Sequence, residues 1–251
     1  MACFTTFNIT RSHISRVNWK AVLFFYISAC GLSYGLHFLP NLNKGILPSH
    51  NVFTYGLGPL LAAMLTRLIF RNQGQTITVF GPARLKAIAF VLTPILLSTA
   101  IGVPRAGQNE HVYGLLLGLS GVLYAFGEEM GWRGYLSDAL RPLPTFWRIL
   151  LVAGLWFGWH FTFLPDLSAV VGPDSPAFAV FLVFVLASWG LDTLINQTKS
   201  VLTIACTHEL MNIAIHPVTL LLTLVVWVWL VRTWRKPVVQ GGTREGSRLL
   251  T

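Results

Sequence analysis

Acidic side chains are scarce in this chain: nine in 251 residues. Charged residues of both signs make up 11% of it, against about 25% in a soluble domain. That scarcity excludes an ordinary water-soluble fold, and it equally excludes a charged, disordered polymer. Cysteine is nearly absent, with Cys3, Cys30 and Cys206 alone. Cys30 and Cys206 fall inside apolar runs and Cys3 lies near the N-terminus, so no disulfide framework is expected. Internal repeats and low-complexity tracts are missing too, which excludes solenoids and linker-rich architectures.

What is present is apolar. Hydrophobic residues make up 54% of the chain, with a mean hydropathy of +0.63. A helix that crosses a bilayer needs roughly 20 apolar residues. Eight runs approach this, near 19–39, 52–70, 85–104, 111–131, 147–164, 177–195, 200–216 and 218–232. The expected fold class is an all-α polytopic membrane protein, with about eight transmembrane helices in one bundle. Residues 1–18 form a cytoplasmic N-terminal segment, 19–232 the membrane domain and 233–251 a basic cytoplasmic tail. The stretch "ISAC", Ile27–Cys30, resembles a lipoprotein cleavage box. The apolar run continues through Leu39, however, which favours the middle of a first span.

The net charge of +9 could serve nucleic acid, but its placement points to a membrane. If the gaps between spans alternate sides, one side receives sixteen of the eighteen basic residues, and the other only Lys44 and Arg105. The positive-inside rule then puts both termini in the cytoplasm of a multi-pass integral membrane protein. In a bacterial source this is the cytoplasmic membrane. The tail after Trp234 is expected to rest on anionic headgroups, and no nucleic-acid partner is expected.

Ionisable groups within a bilayer are expensive and mark function. Three sets stand out. In "GEEMGWR", Gly127–Arg133, Glu129 and Arg133 are spaced i, i+4 in the orientation that favours an ion pair. Glu128 points about 100° away. One carboxylate is neutralised and the other left free. A carboxylate short of water is a stronger base than one in solution, as general-base chemistry requires. In "GLWFGWHF", His160 has Trp156 one turn before it on the same face. Taken alone, it reads most simply as a buried histidine on a backbone carbonyl. In "CTHELMN", His208 and Asn212 share a face and Glu209 is turned about 100° away. This is a near miss to the zinc motif H-E-x-x-H, with asparagine, a poor zinc ligand, in the second histidine's place. A base, two imidazoles and an amide donor are equipment for activating water and stabilising an oxyanion.

Together, "EEMGWR", "WFGWH" and "HELMN" resemble the three ordered motifs of the CAAX-protease and bacteriocin-processing (CPBP) family, over about residues 85–216. The resemblance implies an intramembrane endopeptidase of glutamate type. Glu128 would activate water and His160 would hold or polarise it. His208 and Asn212 would stabilise the oxyanion, while Glu129, Arg133 and Trp156 would support the site. No cofactor is expected. The substrate would be a membrane-associated protein or peptide. Two residues depart from the pattern. Trp156 stands where phenylalanine is usual, which reads as a mild packing change. Glu209 follows the motif histidine, where a neutral residue is common. That second departure keeps open a divalent metal such as zinc on Glu128, His160 and His208. A non-proteolytic transporter or immunity scaffold is the other alternative. One geometric demand follows. His160 lies about 20 Å along its span and Glu128 near the end of its own. The Glu128 helix must therefore tilt, or continue towards Leu140.

Overall fold

The computed structural model describes residues 9–38, 50–71, 77–162, 176–213 and 217–234. Cys3, Lys44 and the basic tail from Arg235 onward lie outside them. The described residues are all-helical apart from one isolated bridge. The helices are α1 (Arg11–Ser15), α2 (Trp19–His37), α3 (His50–Phe70), α4 (Arg84–Ile101), α5 (Glu110–Gly131), a π-helical turn (Trp132–Leu136) and α6 (Ser137–Ala139). They continue with α7 (Thr145–His160), α8 (Ala177–Thr198), α9 (Val201–Asn212) and α10 (Pro217–Thr233).

Each of the eight apolar runs forms a helix, but their lengths differ. Among the described residues, the segments Trp19–Leu36, Arg84–Ile101 and Ala177–Thr198 are long and apolar enough to cross a membrane. The apolar segments Thr54–Phe70 and Leu220–Leu230 are shorter. Helix α9 has 12 residues, roughly 18 Å at 1.5 Å per residue, against about 30 Å of bilayer hydrocarbon. A count of apolar runs therefore does not translate into eight full crossings. Helix α2 runs unbroken through Cys30, as a span would. Cys30 and Cys206 are both free thiols.

The distribution of polarity is that of a protein solvated by lipid. Glu128, Glu129, Arg133, Arg148, Asp192 and Glu209 are buried, while Leu68, Leu85, Leu96, Phe178, Leu186 and Leu221 lie outermost. Buried charges must pair internally, because hydrocarbon offers them nothing. Two of the basic residues assigned by sequence to a membrane surface are thus interior. Arg133 binds Glu129, and Arg148 Nη2 sits 2.8 Å from Asp192 Oδ2. The remaining asymmetry in charge is untouched.

Helix α5 is the hub, and its glycines explain why. A Cβ at Gly114 would strike the Ser98 carbonyl of α4, and one at Gly127 would strike the Gly56 carbonyl of α3. Small residues let helix backbones approach this closely where no hydrophobic effect drives them together. Helix α9 is buried along most of its length. Its first turn is held by the segment before α4, which bridges in parallel from Thr78 to Ser200. The Val201 and Leu202 amides donate to the Thr78 and Val79 carbonyls at 3.0 and 2.9 Å. The Thr203 amide donates to Ser200 Oγ at 3.1 Å. Amides that the helix itself cannot satisfy are thereby paired.

Of the two ways for Glu128 to meet His160, the chain takes the second. Helical backbone continues past Gly131 through the π turn to Ala139. That places Glu128 about 11 residues, roughly 16 Å, from the end of the run. Single π turns commonly sit at functional sites. This one is stapled from α3, where Arg67 Nη2 donates to the Gly134 carbonyl at 2.6 Å. Its guanidinium also lies 5.7 Å from the Tyr135 ring centroid.

Candidate active site

Helices α5, α7 and α9 bring the three motif sets together around one side chain, Trp156. Its indole Nε1–H donates to Glu128 Oε2 at 2.7 Å. Its ring lies 5.7 Å from the His160 ring and 5.4 Å from the His208 ring, centroid to centroid, edge-on in both cases. The Arg133 guanidinium stacks over it at 4.3 Å. The substitution of tryptophan for phenylalanine is thus more than a packing change, because it adds a donor aimed at Glu128. The extra N–H of tryptophan was the available signal, but its target could not be known before the helices were placed.

The two carboxylates have different partners. Glu129 Oε1 accepts from Arg133 Nη1 at 2.8 Å, as the i, i+4 spacing predicts. It also lies 2.8 Å from His208 Nδ1, a contact across 79 residues that no local pattern announces. Arg133 donates in addition to Ser188 Oγ on α8 at 3.1 Å. Among the described residues, Glu128 makes no ion pair. Its Oε2 is held by Trp156, and its buried Oε1 makes no hydrogen bond among the described residues.

The histidine contacts define proton positions. His160 Nδ1 is 2.8 Å from the Trp156 carbonyl oxygen. That oxygen can only accept, so Nδ1 carries the hydrogen. In the neutral ring, Nε2 then holds a lone pair. The plain account of His160, a buried ring on a backbone carbonyl, is correct as far as it goes, and it also fixes the tautomer. Glu128, His208 and Arg133 all lie within electrostatic reach of this ring. For His208, Nδ1 is occupied by Glu129, which leaves Nε2 as its other hydrogen-bonding atom. An aromatic wall encloses the pair. Phe184 of α8 lies 4.8 Å from His160 and 4.7 Å from Trp156, and Tyr124 lies 6.5 Å from His208.

Asn212 stands apart. It ends α9 one turn beyond His208, with an exposed side chain, and it hydrogen-bonds Glu209 rather than Glu128 or either histidine. Glu209 itself packs against Gly121 of α5. Among the described residues, no group of three or more His, Cys, Asp and Glu side chains is arranged to hold a metal ion.

A second buried cluster escaped the sequence reading. Asp192 of α8 accepts from Ser137 at 2.8 Å, from Arg148 at 2.8 and 3.3 Å, and from Asn196 at 2.8 Å. It ties the end of the π turn to α7 and α8, one layer from the Glu129–Arg133 pair. Asp192 is an acid within an apolar run, which was the signal available.

Residues 111–214 match the family model described as Rce1-like, type II CAAX prenyl endopeptidase. The match runs from the start of α5 past the end of α9 and contains all three motif sets. It bears out the family resemblance carried by those motifs. No curated protein and no solved structure matches the chain.

Proposed function

We propose that this Rce1-like chain is an intramembrane endopeptidase in which Glu128 activates a water molecule to cleave a membrane-associated protein or peptide. The observation that carries the proposal is the convergence on Trp156. A base without an ion pair among the described residues, two imidazoles each held at Nδ1 and a neutralised partner carboxylate meet in a buried, aromatic-walled site. Family likeness adds the class of reaction, peptide-bond hydrolysis.

The chemistry follows from the donors and acceptors. A water between Glu128 Oε1 and His160 Nε2 meets two acceptors. Both its protons are held, and its lone pair is directed at the scissile carbonyl carbon. Glu128 takes one proton as the C–O bond forms. The carbonyl oxygen gains negative charge, and His208 and Asn212 supply the hydrogen bonds that stabilise it. Glu129 balances the charge of a protonated His208, and Arg133 keeps Glu129 in place. Collapse of the tetrahedral intermediate breaks the C–N bond, and Glu128 passes its proton to the departing amine. No step requires a metal ion. The eight helices form one membrane domain with both termini in the cytoplasm.

The test uses purified protein in liposomes and a farnesylated reporter peptide ending in a CAAX sequence, in oxygen-18 water. The wild type is expected to release the C-terminal fragment and place one heavy oxygen in the new carboxyl group. Asn212→Ala should slow turnover by roughly 100-fold with substrate binding little changed. Comparison of membrane proteomes with and without the active protein identifies the natural substrate. No release from the reporter, together with no cleaved membrane protein in that comparison, defeats the proposal.

A further inference from the structure

We infer that Glu209 is a positioning residue that presents the Asn212 amide to the oxyanion, an inference that rests on the proposed proteolytic function. Three observations converge. Glu209 is buried, only 3% exposed, although it carries a carboxyl group. Its Oε2 accepts from Asn212 Nδ2 at 3.2 Å. Its carboxyl also fills a notch that exists because residue 121 of α5 is glycine. A Cβ at Gly121 would run into Oε1, Cδ and Oε2 of Glu209.

The geometry gives this contact a purpose. Asn212 is the last residue of α9 and its side chain is exposed. A terminal side chain of this kind samples several rotamers, and its amide can present either oxygen or nitrogen to a substrate. With Glu209 Oε2 accepting from Nδ2, one N–H of the amide is used and the group's orientation is set. The second N–H is then carried in the same plane, available to an oxyanion beside His208, which lies one turn earlier on the same face. Glu209 is rotated about 100° from that face, towards α5. From there it reaches Asn212. Gly121 holds the carboxylate where it must be. The glutamate of "HELMN" thus serves as an orienting acceptor, bonded to Asn212 and packed on Gly121.

The test compares steady-state kinetics on the farnesylated reporter in liposomes for six proteins. These are wild type, Glu209→Met, Glu209→Gln, Gly121→Ala, Asn212→Ala and Glu209→Met combined with Asn212→Ala. Glu209→Met should lower kcat about tenfold with KM changed less than about twofold, because orientation matters in the transition state. Glu209→Gln, which keeps an acceptor oxygen, should recover kcat to within about threefold of wild type. Gly121→Ala expels the carboxylate from its notch without removing it, and should reproduce the loss of about tenfold. The double variant should be no slower than Asn212→Ala alone, since Glu209 acts only through that amide. A merely structural glutamate would give losses that multiply in the double variant, and that result overturns the inference. Unchanged kcat in Glu209→Met overturns it as well. Glu128→Gln run alongside separates the two levels. If it is inert while Glu209→Met is normal, this inference alone fails. If it cleaves like wild type, the proteolytic mechanism fails first and the inference falls with it.

Discussion

Replacing Arg133 with alanine takes the guanidinium away from a carboxylate inside the bundle. The guanidinium lies 2.8 Å from Glu129, and the two side chains are 1% and 0% exposed. Ser188 and the face of Trp156 hold the same group. Removing one partner of a buried pair costs about 3–5 kcal/mol, and here His208 Nδ1, also 2.8 Å from Glu129, stays as a partner of the carboxylate. Loss of a desolvated cation–π contact, worth about 2 kcal/mol, pushes the cost towards the top of that range. In a chain of this size each kcal/mol moves the melting temperature by about 2–4 °C, so the expected drop is roughly 6–20 °C. Intrinsic tryptophan fluorescence of purified protein in detergent, scanned with temperature, measures it directly. Expression yield should fall in parallel. The paired change Glu129→Gln with Arg133→Met removes both charges, and such neutral replacements are often tolerated. It should regain most of the lost stability. Cleavage should not return, because His208 Nδ1 has lost its carboxylate. An Arg133→Ala protein with wild-type yield and melting temperature refutes this reasoning.

Two further outcomes follow from the packing and the charge pattern. Gly127→Val should separate α3 from α5, since its side chain meets the Gly56 backbone carbonyl, which cannot swing aside. A loss of roughly 1–3 kcal/mol is expected, read as a lowered melting temperature with diminished cleavage. A wild-type melt would show that the two helices have room to part. A topology reporter fused after Thr251 should be active only on the cytoplasmic side. Activity confined to the opposite face contradicts the assignment made from sixteen basic residues against two.

Much of the fold was legible because lipid imposes a simple rule. Apolar runs must be helices, and each of the eight became one. The Glu129–Arg133 pair was legible because it is local, four residues apart on one helix. Other features depend on distant chain. Arg148 looked like a surface cation from its place at the very start of the fifth apolar run, 147–164. Its partner Asp192 is 44 residues away, and only the packing of α7 on α8 reveals the pair. The π turn at Trp132–Leu136 has no composition of its own, and its Gly134 carbonyl is served by Arg67 from another helix. The shortness of α9 was hidden as well, because an apolar run fixes neither where its first amides find partners nor where its helix stops. At the site, residue types indicated the chemistry, and the tautomers did not emerge until His160 met the Trp156 carbonyl. The role of tryptophan at position 156 was undervalued because its ring suggested packing, whereas its N–H reaches Glu128.

The central claim is that Glu128 is the base and that no metal ion substitutes for it. The most direct measurement compares reporter cleavage by wild type and Glu128→Gln in liposomes, each with and without a strong chelator. Glutamine preserves the shape of the side chain and can still accept from Trp156, but it cannot take a proton from water. The account predicts that wild type cleaves equally with and without chelator and that Glu128→Gln is inactive in both. Cleavage by Glu128→Gln at the wild-type rate contradicts the mechanism, and so does a wild type silenced by chelator and restored by zinc.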